Sequence, residues 1–148
     1  MRLLLCALLA GLILGAGVPD VHAVYVLPMA GGLDQYLANR LTGAGLFRVV
    51  TDPKLADAVF TEQLGAAFEQ RLADLYAPAD ADKEENDEKP APHISSFGRG
   101  KGTIFLVDVK SRAVIWSAYQ KRSRSTPDDL DRTAVHIVQQ IKKQQGTK

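Results

Sequence analysis

Residues 102–119 read GTIFLVDVKSRAVIWSAY, and this stretch decides the fold. Thr103 to Val109 and Ala113 to Tyr119 are rich in β-branched and aromatic residues, with the polar turn Lys110-Ser111-Arg112 between them. The pattern predicts an antiparallel hairpin. Its first strand is apolar on both faces for most of its length, as expected of an interior strand covered on two sides. Asp108 interrupts it near the turn, where a short carboxylate can accept from turn amides.

Downstream, Thr126-Pro127-Asp128-Asp129 carries three helix-start signals. These are a hydroxyl at the cap, a proline at the first helical position and two acids in the positive first turn. Leu130, Ala134, Ile137, Val138 and Ile141 follow at helical spacing, and Lys142-Lys143 complement the negative end.

Upstream, Val24-Tyr25-Val26-Leu27-Pro28 reads as a buried strand ending at proline. Ala30-Gly31-Gly32 turns the chain into a helix bearing Leu33, Leu37 and Leu41, which Gly43 and Gly45 are placed to end. Leu46 to Val50 is a second strand, Thr51-Asp52-Pro53 a turn or one helical turn, and Ala58 to Thr61 a third strand. A second helix is expected over Leu64 to Tyr76, with Leu64, Ala67 or Phe68, Leu72 and Leu75 along one face. The order β-α-β-β-α-loop-β-β-α predicts an α/β (α+β) domain: a small mixed sheet of about five strands with helices packed on it.

Residues 77–98 break the pattern. The part from 77 to 92 holds three prolines and six acids against two lysines, with no large apolar side chain. Such a composition cannot offset the entropy of ordering, so a loop inside the domain is expected. Alternating Asp80, Asp82 and Glu84 resemble a calcium loop only superficially. Glu85 stands where the turn glycine belongs and Ala91 where the bidentate carboxylate belongs.

The first 23 residues read as a cleavable export signal. Arg2 is followed by the apolar run Leu3–Val18, Pro19 breaks it, and Val21-His22-Ala23 offers small or modest residues at −3 and −1. Cleavage is expected between Ala23 and Val24. The run is shorter than the roughly 20 residues that cross a hydrocarbon core, and no later segment is long and apolar enough to span. A periplasmic domain of about 125 residues, large enough for a single core, is therefore expected as residues 24–148. Cys6 opens the apolar run instead of following it, so it is not a lipoprotein cysteine. Its removal leaves a mature chain with no thiol for disulfides, metals or nucleophilic catalysis.

Little else suggests chemistry. His93 and His136 lack a partner at metal spacing, and no G-x-S-x-G, Rossmann or P-loop pattern occurs. The glycines at 31 and 32 precede a helix, but Asp34 in its first turn would repel a phosphate, so they read as a tight turn. No catalytic residue, cofactor or metal is expected, and nucleic acid does not suit an exported chain. Charge is uneven. Residues 24–98 hold 6 basic against 12 acidic residues, whereas 99–148 hold 11 against 4. Arg99, Lys101, Lys121, Arg122, Arg124, Lys142 and Lys143 are the candidate partner-contact residues, for an acidic protein surface or for anionic lipid headgroups. Folding that brings the two halves together would instead leave a mixed surface.

Three phrases carry a family resemblance: Arg48-Val49-Val50-Thr51-Asp52, Ala56-Asp57-Ala58-Val59, and Leu106 to Ser117 as L-x-D-x-K-S-x-x-V-x-W-S. Together with the strand ending in proline and the closing amphipathic helix, they resemble the small α/β domain of bacterial envelope proteins related to the TolB N-terminal domain, CsgG and LpoB. The likeness spans most of residues 24–143. It implies a non-catalytic periplasmic accessory or docking domain with a protein partner in the envelope. Two departures limit what carries over: the mature chain has no lipobox cysteine, and Arg112-Ala113 stand in the hairpin turn where relatives often place glycine. An anionic small-ligand or headgroup binder is the alternative, and a hydrolase without a recognisable motif the third reading.

Overall fold

The computed structural model describes residues 21–77, 102–121 and 126–146. Along the chain run β1 (Ala23–Val26), α1 (Leu33–Ala44), β2 (Arg48–Val49), β3 (Ala58–Thr61), α2 (Ala66–Tyr76), β4 (Thr103–Asp108), β5 (Val114–Tyr119) and α3 (Pro127–Gln145). A single turn of 3-10 helix precedes α1, and another lies between β2 and β3. The sheet order is β2-β1-β3-β4-β5. β1 pairs parallel with both β2 and β3, while β3–β4 and β4–β5 are antiparallel. This is the expected mixed five-stranded sheet with three helices.

The two faces are covered unequally. Val24, Ala58, Phe60, Ile104, Leu106 and Trp116 point to the face where α1 and α3 lie, meeting Leu33, Leu37 and Leu41 from α1 and the predicted stripe of α3. Phe60 is wholly buried there, edge-on to Phe47 and Trp116 with ring centroids 6.3 Å apart in each case. Trp116 is thus a core residue of the sheet face. On the opposite face, Phe68 and Leu72 of α2 cover Leu27, Val59 and Val107, a much smaller patch. β4 contributes to both clusters, as its two-sided apolar sequence predicts.

Local signals set the element ends. The Thr126 hydroxyl accepts from the Asp129 amide at 3.3 Å, and Pro127 opens α3. α1 runs through Gly43 and stops at Gly45, which takes the left-handed conformation of a C-terminal cap. Several bounds shift, the hairpin strands each losing one residue at the turn. β2 shrinks to two residues. β1 begins one residue earlier and stops at Val26. α2 begins at Ala66, leaving Leu64 outside the helix and exposed. Gly65, with φ 80 and ψ −153, is the break that excludes Leu64. The predicted acidic loop lies almost wholly outside the described residues.

Candidate functional site

β5 closes one edge of the sheet, and its ladder to β4 fixes which way its backbone faces. The Gln120 amide donates to the Gly102 carbonyl, and the register then pairs Ile104 with Ala118 and Leu106 with Trp116. Hydrogen-bonded pairs alternate along an antiparallel ladder, so Ser117 and Tyr119 turn their N–H and C=O groups away from β4, toward the open edge. No described strand lies there. The other edge, β2, is only two residues long.

Side chains alternate in step with this. Trp116 goes into the core, while Ser117 is exposed and Tyr119 is 66% exposed; beyond the bulge opposite Leu106/Val107, Val114 is 45% exposed. The six residues of β5 contain no charge and no proline. Edge strands are ordinarily blunted by such residues, because an unpaired apolar edge is a template for another strand.

Cations stand at both ends of this edge. Lys110 and Arg112 are exposed in the turn, with Arg112 3.7 Å from the Glu69 carboxylate of α2. Lys121 is exposed just past the other end. The Gln120 side chain approaches Gln140 of α3 at 3.4 Å, so the last turns of α3 run beside that end of β5. Lys143 lies one turn beyond Gln140. Lys142 turns the other way, into a shallow groove of about 320 Å³ between α1 and α3 that it lines with Asn39, Arg40, Val135 and Gln139. Arg40 is engaged there by a two-pronged pairing to Asp131 at 2.7 and 2.6 Å, which holds that carboxyl below its usual range. The described members of the predicted set, Lys121, Lys142 and Lys143, are therefore divided between two places. Arg99, Lys101, Arg122 and Arg124 lie outside the described residues.

Other candidates resolve as structure. The amides ahead of the glycine turn are already occupied by carboxylates: Met29 N–H donates to Asp34 at 3.0 Å and Ala30 N–H to Glu62 at 2.8 Å. Gly31 and Gly32 both have positive φ (71 and 79), so the glycines serve the turn as expected. His136 bonds Gln140 on the surface of α3. Among the described residues no group of three or more His, Cys, Asp or Glu could hold a metal ion. No described helix is long and apolar enough to cross a membrane.

Sequence reasoning did not single out Val114, Ser117 or Tyr119. The signal was the polar Ser117 between Trp116 and Ala118, which marks the outward parity of β5. It also missed Asp57. This half-buried carboxylate accepts the amides of Ala23 at 2.9 Å and His22 at 3.0 Å through one oxygen, and these bonds hold it below its usual range. The backbone of Asp57 meanwhile donates to the Ala23 carbonyl and accepts from Val109. One residue thus joins the start of β1, the start of β3 and the end of β4. Ala23 and Val24, the expected cleavage pair, are both in β1, and both are buried.

Comparison with protein-family models, with curated proteins and with solved structures finds no match.

Proposed function

We propose that this chain is an exported, non-catalytic accessory module of the bacterial envelope that binds a partner protein by strand addition along β5. One observation carries the reading: a six-residue edge strand with no charge or proline, exposing Val114 and Tyr119 between cationic ends. Strand addition draws affinity from main-chain hydrogen bonds and specificity from alternate side chains. The fitting occupant is an extended segment with an apolar centre and acidic flanks facing Lys110 and Arg112 at one end and Lys121 at the other. A second copy fits poorly. Antiparallel self-pairing centred on Ser117 would set Lys121 of each copy opposite Ala113 of the other, one residue from Arg112. The export signal and the resemblance to envelope domains support the compartment.

A photoreactive phenylalanine placed at 119, and as a control at the exposed position 132 of α3, tests this in envelope preparations. Adducts of discrete mass are expected from 119 and not from 132. Ser117→Pro should abolish them, because it removes an outward N–H while leaving the ladder to β4 intact. Identical adducts from both positions, or none from either, would refute the reading. Salt-sensitive flotation of the purified protein with anionic vesicles, unaffected by Ser117→Pro, would favour the headgroup alternative.

A further inference from the structure

We infer that the export cut falls on the N-terminal side of Val21, so that Val21, His22 and Ala23 remain in the working protein. The inference rests on the export reading and concerns where the leader ends. By pattern alone, Val21-His22-Ala23 reads as the peptidase site. In the fold the same three residues are part of the domain. Val21 is 7% and Ala23 2% exposed, and Val21 belongs to the larger core cluster. Ala23 pairs with Arg48 across β1–β2. The His22 carbonyl accepts from Arg48 at 2.8 Å, and the Ala23 carbonyl accepts from Asp57 at 2.8 Å. Both amides bound by the Asp57 carboxylate also come from this segment.

Cutting between Ala23 and Val24 would remove all of these together. β2 would lose the pairing of Ala23 with Arg48 and the bond from Arg48 to the His22 carbonyl, while the pairing of Val24 with Val49 and the bond from Val50 to the Val24 carbonyl would stay. The Asp57 carboxylate would lose both its donors. The new N-terminus would fall on Val24, inside β1 and within the larger core cluster.

The sequence offers another site. Gly15-Ala16-Gly17 closes the apolar run with small residues at −3 and −1, placing the cut before Val18. That leaves three residues, Val18, Pro19 and Asp20, ahead of Val21.

The test is the intact mass and N-terminal sequence of the full chain after expression in a Gram-negative host and recovery from its periplasmic fraction. An N-terminus at Val18, or elsewhere before Val21, is expected. A second arm compares the thermal midpoint of the recovered form with that of a form made to begin at Val24. The shorter form should unfold about 10 °C or more below the other, or without a cooperative transition. An exported protein beginning at His22 or later, Val24 included, would overturn the inference while leaving export intact. A chain recovered with its leader attached would overturn the export reading itself.

Discussion

Asp57 shows how much one short side chain can organise when its partners are backbone amides. It ties together segments 34 and 35 residues apart, so no local window of sequence could reveal its role; Ala56-Asp57-Ala58-Val59 reads only as the approach to a strand. Asp57→Ala should lower stability by about 1–3 kcal/mol, measured by urea unfolding near pH 7. Because the folded carboxyl titrates below its unfolded value, this contribution is present above about pH 4 and fades as pH falls through the folded pKa. The gap between wild type and variant should therefore close in acid; a gap unchanged at pH 2 would show that the loss is not the carboxylate's. Two further residues make opposite predictions about backbone strain. Gly102 has φ +82, and a Cβ there would collide with the Gln120 carbonyl oxygen, so Gly102→Ala should cost upward of about 2 kcal/mol. Arg112 has φ 60 in the hairpin turn, where left-handed backbone costs a non-glycine residue about 1–2 kcal/mol. Arg112→Gly should raise the unfolding midpoint despite losing the exposed, 3.7 Å contact to Glu69.

Elements were legible where their signal is periodic and local. The α3 stripe, its Thr126 cap and the hairpin strands appear where the apolar spacing puts them, since each depends on neighbours within a turn or one residue across a tight loop. Thr126→Ala should cost about 1 kcal/mol, readable as a lower thermal midpoint. β2 is shorter than the apolar run suggests because Leu46 is apolar for a different reason: it packs on the core cluster from outside the strand. β1 was obscured by competition between two patterns, since Val21-His22-Ala23 satisfies both a peptidase motif and the start of a strand. Leu64 looked like part of the α2 stripe by spacing, yet the Gly65 backbone breaks the helix before it. The open edge of β5 was half legible. Its alternation is in the sequence, but that β5 is last in the sheet follows only from the order of the strands.

At the scale of the whole molecule, the described part of the charge imbalance is partly interleaved by folding. Among the described residues, Arg40 from the acidic half is paired with Asp131 from the basic half, and Glu69 with Arg112. What remains around β5 is Lys121 past one end and, in the turn at the other, Lys110 and Arg112 beside the carboxylates of Asp108 and Glu69, and this arrangement bears on self-association as directly as on partner choice. An apolar edge without a charged residue or proline invites a second copy, and in β5 only the bulge at Ile115 interrupts it. Here the invitation is opposed by the two Lys121–Arg112 encounters that self-pairing would create. The isolated protein should therefore be monomeric at low ionic strength, by light scattering after gel filtration. Raising salt shortens the screening length from about 30 Å at 0.01 M to about 3 Å at 1 M, which relieves that repulsion, so dimer should appear as salt increases. Lys121→Glu replaces each repulsive encounter with an attractive one. It should form dimer at low salt and lose it at high salt, the reverse of wild type. Ser117→Pro added to Lys121→Glu should restore the monomer. A Lys121→Glu chain that stays monomeric at every salt concentration would show that β5 is not an accessible edge.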